Sequence, residues 1–121
     1  MKQNISVDQL NELSDKGKER LRNWWKEEVG DKYFDGKFIR IVPDDEGKIH
    51  VPIRQLPLLS IGQMIELIGH KRLNVIQTWD KGWYRVVCYE YVPIKPMKAK
   101  ELCDALWLVT ERLVENYSIE L

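Results

Sequence analysis

The apolar positions at the start of the chain repeat at helical spacing. Val7, Leu10, Leu13, Leu21, Trp24 and Trp25 share one face at 3.6 residues per turn, with Gly17 among them. Ser6 followed by Gln9 is a capping-box signature, Glu12 and Lys16 make a well-oriented i,i+4 pair, and Gly30 supplies a stop. The spacing predicts an N-terminal helix over 6–28. Gly17 weighs against an unbroken one, because glycine inside a helix costs about 1 kcal/mol relative to alanine. Ser14-Asp15 offers a second cap, so a helix–kink–helix is the alternative.

Extended patterning follows. Phe38-Ile39-Arg40-Ile41-Val42 and Lys48-Ile49-His50-Val51-Pro52-Ile53 flank the turn-rich Pro43-Asp44-Asp45-Glu46-Gly47, which predicts a hairpin over 37–54. Pairing Ile41 with Ile49 and Ile39 with Val51 makes one face uniformly β-branched. Pro52 cannot donate to a ladder and assigns its strand to an edge. Asp35-Gly36 offers a competing turn between Phe34 and Phe38. Helical spacing then returns: Ile61, Met64, Ile65 and Ile68 follow Ser60, with Gln63 completing a second capping box and Gly69 as the stop, for a helix over 60–69.

A second hairpin is predicted over 72–92. Trp79-Asp80-Lys81-Gly82-Trp83 reads as a three-residue loop with glycine in the left-handed position. Its register pairs Trp79 with Trp83, Gln77 with Arg85, Val75 with Val87 and Leu73 with Tyr89. The opposite face pairs Thr78 with Tyr84, Ile76 with Val86, Asn74 with Cys88 and Arg72 with Glu90. Both faces carry large apolar side chains, so helices are expected above and below. After Pro93 and Pro96 a final helix is predicted over 99–116, with an apolar arc of about 200°, wider than the roughly 100° a surface helix needs. Leu108 lies on its polar side. The N-terminal tryptophan helix or a second subunit is the expected partner for this wide face.

The order α-β-β-α-β-β-α predicts a single α+β domain over 1–121, an antiparallel sheet of two hairpins packed with helices, with an α/β/α sandwich as one arrangement that satisfies it. The 121 residues are one domain's length and can bury a real core. Lys+Arg and Asp+Glu both total 19, so no net charge drives the chain onto phosphate or anionic lipid. The longest uncharged run, Gln55 to Ile65, is too short for a membrane span. The first residues lack an apolar signal region, and two cysteines make no disulfide framework, which points to the cytosol.

Several strings taken in order carry a resemblance: Leu21-Arg22-Asn23-Trp24-Trp25 with Val29-Gly30-Asp31, Leu56-Pro57-Leu58-Leu59-Ser60-Ile61-Gly62-Gln63-Met64-Ile65-Glu66, and Glu101-Leu102-Cys103-Asp104-Ala105-Leu106-Trp107. Together they resemble small uncharacterised proteins of phages and prophages of Firmicutes. The strand–proline–helix ending is similar to that of phage domains described as α/β/α sandwiches. The resemblance implies a phage context, a bacterial host cytoplasm and an accessory or anti-defence role. It brings no catalytic or binding residues with it.

Candidate chemistry is sparse. His50, His70, Cys88 and Cys103 have no metal-ligand spacing, and both cysteines suit small buried positions. Ser60 is explained as a cap, the glycines are scattered singly, and Asp44-Asp45-Glu46 and Glu27-Glu28 read as solvated surface. Lys95, Lys98 and Lys100 form a basic run that is either solvated or a surface for an acidic partner. No cofactor and no enzymatic activity are expected. The leading expectation is contact with a protein partner, which is either a second copy of the chain, making a homo-oligomer, or a host or phage protein. Trp107, Leu108 and Tyr117 are the candidate interface residues, with Trp24 and Trp25 second. The alternative is a nucleotide-like ligand in an aromatic pocket of Trp79, Trp83 and Arg85. Single-stranded nucleic acid, stacking on Trp79, Trp83, Tyr84, Tyr89 and Tyr91 with Lys71, Arg72, Lys81 and Arg85 nearby, ranks third.

Overall fold

The computed structural model describes residues 1–43, 55–69, 73–79, 82–88 and 97–116, although the side chains of 73–79, 85, 87, 88, 97 and 98 are outside that description. The N-terminal segment makes two helices, α1 (Val7–Leu10) and α2 (Asp15–Trp24), in place of one. Ser6 and Gln9 form the expected capping box on α1. The break falls where Ser14 turns extended and its hydroxyl accepts from the Gly17 amide at 3.1 Å. The kinked alternative is therefore the observed one. α2 also ends four residues before the predicted boundary: Trp25 leaves helical geometry with ψ 124° and buries its indole. Gly30, expected as the stop, instead takes φ 92° in the turn into the first strand.

That strand, β1 (Lys32–Phe34), pairs antiparallel with β2 (Ile39–Ile41) across Asp35-Gly36, the turn that competed in the sequence. Side-chain chemistry decides it. Asp35 Oδ1 accepts from the amides of Lys37 at 2.8 Å and Phe38 at 2.6 Å, while Oδ2 accepts from Arg40 Nε. Gly36 takes φ 96°, which asparagine-free turns of this kind leave to glycine. β3 (Leu56–Pro57) covers the other side of β1, giving the strand order β2-β1-β3. A hairpin centred on Asp35-Gly36 is thus formed, and the predicted hairpin over 37–54 falls largely on residues outside the described ones. The proposed partner strand Lys48–Ile53 lies outside the described residues.

α3 (Ile61–Ile68) matches its prediction, with both halves of the Ser60–Gln63 capping box formed. The N-terminal segment is stapled to its start: Ile5 donates to the Leu59 carbonyl at 2.9 Å, and Ile61 donates to that of Gln3 at 3.0 Å. β4 (Leu73–Trp79) and β5 (Trp83–Cys88) pair in the predicted register from Trp79–Trp83 back to Val75–Val87. A bulge then shifts the ladder so that Leu73 faces Cys88 rather than Tyr89. Arg72 and Glu90 lie outside the described residues. Gly82 holds φ 89°, the left-handed position the loop requires.

An unanticipated strand, β6 (Met97–Ala99), pairs with β5 and completes a second sheet, β4-β5-β6. The last helix, α4 (Leu102–Asn116), consequently starts three residues later than predicted. Ladder hydrogen bonds to the open edge of β5 win over another turn of helix.

The architecture is a single α+β domain in which the described strands form two three-stranded sheets rather than one sheet built from both hairpins. α4 is its centre, packing on α2, α3, β5 and β6, while the first sheet reaches the core through β3 against α2. Cys103, Ala105, Leu106, Trp107, Val109, Thr110, Leu113 and Val114 of α4 are all buried. The wide apolar arc is thus covered by α2, α3 and the second sheet within one chain. Thr110, the polar member of this group, donates its hydroxyl to the Leu106 carbonyl at 2.8 Å.

Candidate interaction surface

The residues expected at an interface scatter. Trp107 is 1% exposed and belongs to the core, its indole nitrogen 3.3 Å from Glu12 Oε2, so it is corrected from interface anchor to core residue. Leu108 is 36% exposed, as its place on the polar side predicts, and among the described residues it is the only exposed large apolar side chain of α4. Tyr117 lies outside the described residues. Trp25 is 7% exposed, and Trp24 is partly buried against the core.

The aromatic pocket is seen only in part. Trp79 and Trp83 face each other across the ladder, and Arg85 is paired in register with Gln77 and Lys98. The side chains of Trp79 and Arg85 lie outside the described set. Trp83 is partly buried, with Lys100 Nζ 5.7 Å from its ring centroid, so a cation of the chain itself already lies over this ring.

Two features escaped the sequence reading. The first is β2, which lies at the edge of its sheet among the described residues; Ile39 and Ile41 are each 59% exposed, and Phe38, just before the strand, is 56% exposed. Lys37 Nζ and Arg40 Cζ lie 5.7 and 5.9 Å from the Phe38 ring centroid. Arg40 also pairs with Asp35, and this hydrogen bond, with those from the Phe38 and Lys37 amides, holds the Asp35 carboxyl down at about 2. Asp35 therefore stays ionised through neutral and mildly acidic conditions.

The second feature is a cleft of about 350 Å³ where α2 ends beside α3, lined by Trp24, Trp25, Lys26, Glu28, Asp31, Gln63 and Glu66. Asp31 organises it. Its Oδ2 accepts from the Trp25 indole at 3.0 Å and from the Glu28 amide at 3.0 Å. The Tyr33 ring packs at 6.0 Å from Trp25, tilted by 40°. Backbone bonds from Gly30 to Val42 and from Val42 to Asp31, 2.9 and 2.8 Å, join this wall to the end of β2. Sequence signals for the cleft were the Trp-Trp pair and Asp31, but Gln63 and Glu66 are brought in only by packing.

The chemistry of individual groups is bland. Desolvation, the dominant cause, pushes the Cys103 thiol up to about 11, so little thiolate forms near neutrality and nucleophilic attack is disfavoured. The Ser60 hydroxyl is committed to accepting from the Gln63 amide at 3.1 Å. Among the described residues no three His, Cys, Asp or Glu side chains converge to hold a metal, and His50 and His70 lie outside them. Among the described residues, no helix is long and apolar enough to cross a membrane. No protein-family model matches the chain, and neither the curated proteins nor the solved structures give a match.

Proposed function

We propose that this protein is a non-enzymatic accessory protein of the phage type that acts by contact with another protein, as an inhibitor or adaptor. The observation that carries the contact reading is the exposed apolar stretch 38–41, whose strand β2 lies at the edge of its sheet among the described residues. Edge strands present unpaired backbone donors and acceptors, and soluble proteins ordinarily blunt them with charge, proline or a covering element. Here the solvent side of β2 carries Ile39 and Ile41, with Arg40 as the one charged side chain on the strand. That pattern suits a partner adding a strand: main-chain hydrogen bonds supply affinity, and alternate side chains supply selectivity. The phage setting rests on the resemblance of the three ordered strings alone.

An Ile39→Glu/Ile41→Glu variant tests the reading. Its far-ultraviolet spectrum and Tm should match those of the parent, because both side chains are exposed. Sedimentation and capture from phage-infected cells are then compared for the two proteins. The expected result is a complex, with a second copy or with another protein, that the parent forms and the variant loses. The same sedimentation and the same captured proteins for both would remove β2 as the contact surface.

A further inference from the structure

We propose, resting on the strand-edge reading, that the partner at β2 is a second copy of this chain, docked antiparallel about a two-fold axis at Arg40. The backbone of the hairpin fixes which groups are free. The Asp35 amide donates to the Phe38 carbonyl at 3.1 Å, Val42 donates to the Asp31 carbonyl at 2.8 Å, and Gly30 donates to that of Val42 at 2.9 Å. Peptide groups alternate in direction along an antiparallel strand, so Phe38, Arg40 and Val42 turn theirs toward β1. Ile39 and Ile41 turn theirs the other way, where they meet no partner among the described residues. The free edge is closed at both ends: the Lys37 amide is taken by Asp35, and Pro43 has no amide.

An amide and a carbonyl on each of two residues spaced this way complement themselves. Setting Ile39 opposite the second copy's Ile41, and Ile41 opposite its Ile39, forms four backbone hydrogen bonds and leaves none of the free groups unpaired. The neighbouring two-fold registers fail. Centred on Ile39, the Ile41 carbonyl would need the occupied Lys37 amide; centred on Ile41, the Ile39 carbonyl would need an amide that Pro43 lacks. A longer foreign strand would find no further groups to bond. The register centred on Arg40 also gathers four exposed β-branched side chains on one face, as favourable cross-strand pairs. On the other face Arg40 meets the second copy's Arg40, and each brings its own Asp35 as counter-ion. Lys32 and Lys37 leave each hairpin net positive, so the dimer is weak and tightens as salt screens that repulsion.

Sedimentation and disulfide trapping test this together. The parent should dimerise with a Kd on the order of 100 µM, lower at higher salt, as a small interface allows. Ile39→Glu/Ile41→Glu should stay monomeric. Residues opposite at the two-fold stand about 4.5 Å apart at Cα, within disulfide reach, whereas Ile39 is diagonal to its own copy at about 7–8 Å. Under mild oxidation Arg40→Cys should therefore link to itself about tenfold faster than Ile39→Cys does, with the oxidised parent as background. A mixture of Ile39→Cys and Ile41→Cys should link one protein to the other, which keeps the register testable should Arg40→Cys not fold. A parent that stays monomeric up to about 1 mM, a dimer that survives Ile39→Glu/Ile41→Glu, or Ile39→Cys linking to itself as fast as Arg40→Cys would overturn the proposal. A monomeric parent that still loses a captured protein in the double glutamate variant overturns the second copy and leaves the strand-edge reading standing. A monomeric parent whose captures match those of the variant overturns both.

Discussion

Glu111 shows how a single carboxyl records its surroundings. Burial raises its pKa most, followed by the charge of Glu12, a hydrogen bond shared with Glu12 and the charge of Glu115, while Arg112 opposes them. A carboxyl that holds its proton more tightly in the folded state stabilises the fold fully below its unfolded pKa. That contribution is lost as pH rises through the folded value. Glu111→Gln should therefore raise Tm at about pH 7 and change it little at about pH 4, where the parent carboxyl is largely protonated. Thermal melts at the two pH values check this, and an equal shift at both would place the effect in packing. The sequence marks Glu111 only as a polar position on the last helix. Glu12 lies far away in the chain, and no spacing rule brings the two carboxyls together.

The clasp between α2 and α4 belongs to the scale of elements. Glu115 reaches the start of α2, accepting from the Ser14 amide at 2.7 Å and from its hydroxyl at 2.7 Å. In return Arg20 Nη1 donates to the carbonyls of Val114 and Glu115 at the end of α4, at 2.9 and 2.8 Å. Each helix thus satisfies orphan backbone groups or places charge at the other's terminus, as the helix dipole favours. Gly17 belongs to this clasp: a Cβ there would collide with Glu115 Oε1. Glu115→Ala should cost about 1 kcal/mol, comparable to loss of a helix cap. Gly17→Ala should stabilise the Glu115→Ala protein by up to about 1 kcal/mol through helix propensity, and do less or harm in the parent. Urea unfolding of the four proteins in this cycle measures the coupling, and additivity would remove Glu115 as the reason for glycine. The glycine looked like a breaker in the sequence because its cause is a carboxylate from the opposite end of the chain.

At the scale of the whole molecule, α4 decides which apolar surface is core. Trp107→Ala should destabilise by about 3–5 kcal/mol, as large core truncations do, while Leu108→Ala should stay within about 0.5 kcal/mol. Chemical denaturation of both separates core from surface; comparable losses would place Leu108 in a packed contact. The two are neighbours in sequence with opposite fates because α2 and α3 close over one side of the helix only. Local chemistry was legible from residues near each other in the chain. The two capping boxes, the Gly82 loop, the register from Trp79–Trp83 to Val75–Val87 and the α+β class follow from contacts over a few positions, which sequence spacing encodes directly. Other outcomes compare pairings that spacing leaves close in energy: β6 on the edge of β5, and the two sheets rather than one that the described strands form. Those competitions are settled by long-range contacts, the burial of α4 above all. The exposed β2 edge and the acidic tryptophan cleft are consequences of that settlement: the amino-acid pattern supplied their side chains, and tertiary packing determined which of them remained facing solvent.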